Sequence, residues 1–176
     1  KGYWQASWTR LPTLPAGVEQ DIVKGLYRFS VHLPKAKAVG RVRLLGSGAI
    51  LREVIVAAEA LAAEWEVEAE VWSATSFAEL ARDAREVERW NRLHPADAPR
   101  TSHLAQCLPG DAPVVAASDY VRAWPQLAGA HLDAPFTALG TDGFGRSDTR
   151  AALRRFFEVD RGHIVLAALT ALRAQA

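Results

Sequence analysis

The sequence predicts a three-layer α/β/α domain in which helices cover both faces of a mostly parallel sheet. Short apolar runs alternate with longer segments whose apolar residues recur at the helical period of 3.6 residues. Strands that alternate with helices pair in parallel through right-handed crossovers, which place helices on both faces. The length of 176 residues suits one domain with one substantial core.

The N-terminal part of the chain predicts a linker followed by two short elements. Residues 1–17 carry three aromatic residues between prolines and glycines, without helical or strand periodicity. We expect this segment to lie against another surface, since exposed aromatic side chains are costly. VEQDIVKG then predicts a short helix, and the alternating LYRFSV predicts a strand. We therefore assign residues 1–25 to a linker from a preceding domain and residues 26–176 to the folded domain.

The remaining elements alternate between strand and helix. Four apolar runs predict strands: VRLLGSG, VEAEVWS, APVVAAS and APFTALG. The segment SFAELARDAREVERWNRL predicts a helix, which ends at the prolines of HPADAP. A helix starts at DYVRAW, and TRAALRRFFE and GHIVLAALTALRAQ close the chain. The strongest helical pattern is AILREVIVAAEALAAEW. Its apolar face consists of Ile50, Val54, Ile55, Ala58, Leu61, Ala62 and Trp65.

Composition excludes several classes of protein. Apolar residues make up 49% and charged residues 23%, as in ordinary globular proteins. No apolar run reaches the roughly 18 residues of a membrane span, and no leader peptide is recognisable, so we expect a cytoplasmic protein without a membrane partner. A net charge of +1 with interspersed signs disfavours a nucleic-acid partner. The single cysteine, Cys107, excludes internal disulfides, and we interpret it as a buried, unreactive thiol.

Two glycine-rich turns stand where ligands collect in open α/β sheets. Gly46–Gly48 lacks the third glycine of a dinucleotide fingerprint, and GTDGFGRSD lacks the lysine of a phosphate loop. Gly46 and Gly48 are therefore expected to form a tight turn that brings helix close to strand. Both turns remain weak candidates for a phosphate cradle.

The loop from Gly140 to Asp148 has two interpretations. In the structural one, Ser147 or Asp148 caps the following helix, Asp142 lies in a glycine turn, and Arg146 pairs with a nearby carboxylate. In the other, the same side chains together with Phe144 form a docking or binding loop. The candidate residues in both cases are Asp142, Phe144, Arg146, Ser147 and Asp148.

Other site types find no support in the sequence. The five histidines have no close metal-ligand spacing, and no G-x-S-x-G motif places a nucleophilic serine. Glu66, Glu68 and Glu70 alternate along a strand and are expected to be solvated rather than catalytic. We assign no catalytic, cofactor-binding or metal-binding residue.

Five segments, in this order, resemble one family: LLGSGAILREVI, VWSATSFAELARDAREVERWNRLHP, HLAQCL, SDY and LGTDGFGRSDTRAALRRFFEVD. They are similar to the C-terminal domain of the single-chain, homodimeric pyruvate dehydrogenases of bacteria, the thiamine-diphosphate-dependent first component of the pyruvate dehydrogenase complex. The similarity extends from about Pro12 to the end of the chain, and GTDGFGRSDTR with ERWNRLHP is highly specific.

The resemblance implies a transketolase-like C-terminal domain with a five-stranded, mostly parallel sheet. The parent would be an oxidoreductase of glycolysis and pyruvate metabolism that oxidatively decarboxylates pyruvate and acetylates the lipoyl group of dihydrolipoyl acetyltransferase. In this family thiamine diphosphate and Mg²⁺ are bound by the two preceding domains. This domain would then be non-catalytic, inactive alone, and in contact with the remaining domains of a homodimer.

Three features depart from the family pattern. KGYWQASWTR is unlike the usual linker, Ala84 replaces a glycine between two helices, and Pro125 falls within a family helix. We expect Ala84 to join the two helices and Pro125 to end or kink its helix. An alternative function also remains: a stand-alone binding or regulatory module whose Gly140–Asp148 loop takes a small anion or a partner chain.

Overall fold

The computed structural model describes residues 14–175, which form five strands and seven α-helices. Residues 1–13 of the expected 1–25 linker therefore lie outside the described residues. In chain order the elements are α1 Glu19–Lys24, β1 Leu26–His32, β2 Gly40–Gly46, α2 Leu51–Glu64, β3 Val67–Ala74, α3 Phe77–Leu93, α4 His103–Cys107, β4 Val114–Ala117, α5 Ala123–Gly129, β5 Phe136–Leu139, α6 Arg150–Phe156 and α7 Arg161–Arg173. Every strand predicted from the sequence is present.

The five strands form one sheet in the order β1-β3-β2-β4-β5. Strands β2 to β5 are parallel, whereas β1 pairs antiparallel with β3 and forms one edge. Because β1 is antiparallel, its first residue, Leu26, lies opposite Ala74 at the carboxyl end of β3. This arrangement confirms the predicted fold class.

Apolar side chains are buried on both faces of the sheet, which gives the three layers. On one face α2 and α7 pack over the sheet through residues such as Val54, Leu61 and Ile164. On the other face α3, α4 and α5 enclose a second cluster that includes Trp72 and Leu80. The apolar periodicity of the sequence thus specifies which side of each helix is buried.

Three details of the predicted helices are wrong. Trp65 is 50% exposed because α2 ends at Glu64 and the next residue leaves the helical path. The helix expected from DYVRAW begins only at Ala123, since residues 119–122 are used in a loop. Pro125 therefore lies in the first turn of α5, where backbone N–H groups have no acceptor within the helix. The lack of an N–H at Pro125 costs no helical hydrogen bond, and the proline neither ends nor kinks the helix.

Helix α3 runs without interruption through Ala84, which is 2% exposed. Ser76 caps it, as its side chain accepts a hydrogen bond from the N–H of Glu79 at 3.1 Å. The expectation that Ala84 permits one continuous helix is confirmed. This helix positions the Ser76–Phe77 turn at the carboxyl edge of the sheet, beside the candidate site.

Candidate functional site at the carboxyl edge of the sheet

The connections of the sheet diverge between β2 and β4. From β2 the chain crosses to β3 on one side, whereas β4 is followed by β5 on the other. Ligands in open α/β sheets collect at such a point, outside the carboxyl ends of the strands. Three segments meet there: the turn after β2, residues 118–122 after β4, and residues 140–149 after β5.

The loop after β5 is fixed to the loop after β4 by several contacts. The Thr141 N–H donates to the Tyr120 carbonyl at 2.8 Å, and the Arg122 N–H donates to Asp142 Oδ1 at 3.1 Å. The Arg122 guanidinium also pairs with Asp142 Oδ2. A Cβ on Gly140 would lie 2.5 Å from the Tyr120 carbonyl oxygen, so only glycine permits this approach. The two loops therefore form one ordered unit, called the paired loops below.

Asp142 is held ionised by Arg122. The backbone N–H of Arg122, and then its side chain, hold the pKa of Asp142 below its usual value. The sequence offered no signal for this partner, because Arg122 lies 20 residues away and becomes a neighbour only through the pairing of β4 with β5. The contact explains Asp142 as a residue that fixes the loop.

Three of the expected loop contacts are wrong. Among residues 14–175, no carboxylate pairs with Arg146. Its guanidinium instead lies 4.0 Å from the ring centroid of Phe156, a cation–π contact. Neither Ser147 nor Asp148 caps α6. The cap is Thr149, whose hydroxyl accepts from the Ala152 N–H at 3.3 Å, while Asp148 accepts from the Thr149 N–H at 2.6 Å. The helix begins one residue later than the sequence pattern indicated, so the capping role moves to Thr149.

Phe144 lies at the tip of the loop and is 96% exposed. Arg146 and Ser147 are exposed as well. The structure brings these side chains to the surface at the carboxyl edge but provides no partner for Phe144 among residues 14–175. The docking or binding role of the five candidate residues stays a prediction.

A cavity of about 380 Å³ lies between the loop after β5, the turn after β2 and helix α6. Its floor is apolar, with Ile50 and Leu153, and its rim carries the charged side chains of Asp119, Asp148 and Arg150. Both signs of charge therefore face the opening. A small polar molecule with donor and acceptor groups fits this rim better than a multiply charged anion does.

Helix α6 is anchored next to this cavity by a buried carboxylate. Glu53 on α2 is 6% exposed and accepts from Arg154 Nη1 at 2.8 Å. It also accepts from the Nε and backbone N–H of Arg161, at 3.1 and 3.2 Å. Because one carboxylate joins α2, α6 and α7, the wall of the cavity is rigid.

The turn after β2 is a packing feature. A Cβ on Gly46 would lie 2.7 Å from Leu51 Cα, which shows how closely α2 approaches the strand. Ser47 N–H donates to the Ala117 carbonyl at 3.1 Å. The expected tight turn between strand and helix is confirmed.

A buried ion network lies at the start of β2 and β3, and the sequence analysis missed it. Glu70 was expected to be solvated, but it is 3% exposed. It accepts from Arg43 Nε at 3.3 Å and from Trp72 Nε1 at 3.2 Å, and it pairs with Arg41. Burial opposes ionisation, but hydrogen bonds from Arg41 and Trp72 outweigh it and lower the pKa of Glu70. Arg43, also 3% exposed, donates to the Pro109 carbonyl as well.

The thiol of Cys107 lies half-buried near His103. Its Sγ is 3.5 Å from His103 Nε2, and that nitrogen is 2.8 Å from the Leu26 carbonyl. Burial raises the pKa of Cys107 to about 11. This supports the interpretation of Cys107 as an unreactive thiol.

Within residues 14–175, no group of three or more histidine, cysteine, aspartate or glutamate side chains is arranged to hold a metal ion. In the same range, none of the helices has the length and apolarity required to cross a bilayer.

A family model and two curated relatives that match this chain agree on its family. The model of the family described as "Transketolase-like TK C-terminal domain" matches residues 25–160. The chain is 54% identical over 162 residues to the pyruvate dehydrogenase E1 component of Cupriavidus necator. It is 48% identical over 160 residues to that of Escherichia coli K12. These alignments cover 92% and 90% of this chain but only 18% of each relative, so the chain spans less than a fifth of their length.

Solved structures of transketolases share the fold. The chain superposes on the transketolase of Leishmania mexicana with a TM-score of 0.58 and 21% identity, covering 90% of this chain and 20% of that one. For a transketolase of Pichia stipitis solved with sedoheptulose 7-phosphate, the TM-score is 0.60 at 16% identity, covering 93% and 20%. At these identities the likeness establishes the five-stranded architecture.

Proposed function

This chain belongs to the family of transketolase-like C-terminal domains, and we propose that it is the non-catalytic C-terminal domain of a pyruvate dehydrogenase E1 component. The parent enzyme would use thiamine diphosphate to decarboxylate pyruvate oxidatively. It would pass the acetyl group to the lipoyl group of dihydrolipoyl acetyltransferase. The role of this domain is to stabilise the architecture of that enzyme.

One observation carries this proposal. The chain is 54% identical over 92% of its length to an E1 component, whereas its likeness to the transketolases above is 16–21%. Identity of 54% over 162 residues is much higher than conservation of a fold alone requires, because transketolases share this fold at 16–21% identity. Pyruvate is therefore a better-supported substrate of the parent than a sugar phosphate.

The acid of the GTDGFG loop and the single asparagine are poorly placed to bind thiamine diphosphate and its metal. Mg²⁺ takes oxygen ligands in near-octahedral geometry. The acid of the GTDGFG loop, Asp142, is engaged by Arg122, and Asn91, the one asparagine of the sequence, hydrogen-bonds the backbone of Arg100. These engagements support binding of the cofactor by the preceding domains.

The partners follow from the same proposal. We infer contacts with the remaining domains of the enzyme, a homodimer of the parent chain, and transfer to dihydrolipoyl acetyltransferase. We also infer a cytoplasmic location, without nucleic acid or membrane partners.

The test uses the full-length protein that contains this sequence. Purified enzyme with thiamine diphosphate and Mg²⁺ should reduce ferricyanide when pyruvate is added, and omission of thiamine diphosphate should abolish the reaction. A parallel assay with xylulose 5-phosphate and ribose 5-phosphate provides the control for a transketolase. Ketol transfer without pyruvate oxidation would refute the proposal.

A second candidate function is binding of a small molecule in the 380 Å³ cavity beside the Gly140–Asp148 loop. The observation that favours it is the rim, where Asp119 and Arg150 face the opening without a hydrogen-bond partner among the described residues. Thermal-shift screening of the 176-residue chain against amino acids and small carboxylates tests it, with Arg150→Gln as the matched variant. Stabilisation that Arg150→Gln removes would support a binding module.

A further inference from the structure

Exposed apolar side chains gather at the carboxyl edge of the sheet. Tyr120 and Trp124 line one small cavity, and Phe156 lines another together with Arg122 and Asp142. The paired loops connect these two cavities. We call the whole surface the carboxyl-edge patch; its members are 40–96% exposed and are Tyr120, Val121, Trp124, Leu127, Phe144 and Phe156.

Two arginine side chains at the patch already have partners. Arg122 is bound to Asp142, and Arg146 lies against the ring of Phe156. Burial of the patch would therefore leave these two guanidinium groups with partners. Aromatic residues and arginine are the types enriched in the cores of protein interfaces.

The patch is also preorganised. The hydrogen bonds between Thr141 and Tyr120 and between Arg122 and Asp142 hold its loops in one conformation. A surface that is ordered before association loses little conformational entropy when it is covered. Large exposed apolar patches mark interaction sites, and Phe144, at 96%, is the most exposed member of this one.

The polypeptide enters the domain at this same edge. Hydrogen bonds join the end of α1 to the turn before α3. The Thr75 hydroxyl donates to the Ile22 carbonyl at 2.7 Å. The N–H groups of Thr75 and Ser76 donate to the Gly25 carbonyl at 2.9 and 3.2 Å. Ser76 lines the same cavity as Tyr120 and Trp124. Gly25, which follows α1, therefore lies at the carboxyl edge, near the patch.

We propose that the carboxyl-edge patch is covered by the part of the same polypeptide that precedes this chain in the parent enzyme. This inference rests on the proposed function. The E1 relatives are more than five times longer than the matched region, since it covers 18% of them, so a large preceding portion is available. The described chain reaches β1 at the carboxyl edge of the sheet, where the patch also lies. Interfaces between domains of one chain bury about 600–1,500 Å², which a patch with six large apolar side chains can supply.

Hydroxyl-radical footprinting of the full-length enzyme tests the inference with a matched pair of tryptophans. Trp124 in the patch is 43% exposed, and Trp65 is 50% exposed. Trp65 lies at the opposite edge of the sheet, between the end of α2 and the start of β3. Because the two side chains share chemistry and exposure, their oxidation rates would be similar if neither were covered.

We expect Trp124 to be oxidised several-fold more slowly than Trp65 in the full-length enzyme, at every protein concentration. Equal rates would overturn the proposal. Protection of Trp124 that disappears on dilution would also overturn it, in favour of a second copy as the occupant.

Activity separates this inference from the proposed function. Pyruvate oxidation with equal tryptophan rates would leave the function supported and the patch uncovered. Protection of Trp124 without pyruvate oxidation would support the interface and refute the assigned reaction.

A pair of variants gives a second test. Tyr120→Asp should lower the thermal stability of the full-length enzyme more than Leu33→Asp does. Both residues are 67% exposed, but only Tyr120 belongs to the patch. Equal losses would contradict the proposal.

Discussion

Glu70→Gln should strongly destabilise the 176-residue chain. The Glu70 and Arg43 side chains are 5% and 4% exposed, so the substitution leaves a guanidinium buried without a counter-charge. Loss of one member of a buried ion pair costs about 3–5 kcal/mol. The glutamine can still hydrogen-bond Trp72 and Arg43, so we take the lower end, about 3 kcal/mol. For a chain of this size that lowers Tm by about 6–12 °C, measured by calorimetry.

The control is Glu79→Gln, which breaks a pair with Arg82 on the surface of α3. Exposed pairs of this kind contribute little to stability, so Tm should change much less than in Glu70→Gln. Arg43→Met in the Glu70→Gln background should recover part of the loss, because it removes the unpaired buried cation. Equal effects of Glu70→Gln and Glu79→Gln, or no recovery with Arg43→Met, would refute the reasoning.

The effect of Glu70→Gln should depend on pH. The pKa of Glu70 is lower in the folded chain than in the unfolded chain, so its ionised form stabilises the fold. That stabilisation is complete above the unfolded value of about 4.3 and is lost as pH falls through the folded pKa. Urea unfolding should therefore show the advantage of Glu70 over glutamine at neutral pH and its decline below about pH 4. A difference that is constant from about pH 3 to pH 7 would contradict this assignment.

Three further predictions concern the loops and the thiol. Thr149→Ala should lower the free energy of unfolding by about 1 kcal/mol, because it removes the cap of α6. Ser147→Ala should have no measurable effect on thermal unfolding. A larger loss with Ser147→Ala than with Thr149→Ala would mean that Ser147 is the cap. Gly140→Ala should push the paired loops apart, because the added Cβ meets the Tyr120 carbonyl oxygen. The Thr141 N–H, which donates to that carbonyl, should then exchange faster with solvent. Unchanged exchange would mean that the loops accommodate the added methyl group without losing this hydrogen bond. Cys107, with its pKa raised to about 11, should react with iodoacetamide far more slowly than a free cysteine; rapid alkylation near neutral pH would contradict its burial.

The sequence predicts the strands and the long helices well because their signals are local. The buried face of α2 follows from its apolar spacing, and Ser76 stands directly before α3 as a cap. Errors occur where a tertiary contact overrides the local pattern. Residues 119–122 look helical in isolation, but their backbone and side chains bind the loop after β5, so α5 starts only at Ala123.

The buried network around Glu70 carried a signal that the sequence analysis did not use. Arg41 and Arg43 alternate on one strand, as Glu68 and Glu70 do on the next, and parallel pairing places Arg41 beside Glu68 and Arg43 beside Glu70. Complementary charges at period two on adjacent strands indicate such pairing. The pairing of Arg122 with Asp142 had no comparable signal, since it depends on how two loops meet in space.

A paired calorimetric titration with thiamine diphosphate and Mg²⁺ tests most directly whether the cofactor is bound outside this domain. The full-length enzyme should bind the cofactor at micromolar concentration, and the 176-residue chain should give no binding heat. That result would place the cofactor in the preceding domains and leave this domain a structural role. Micromolar binding by the isolated chain, or none by the full-length protein, would contradict it.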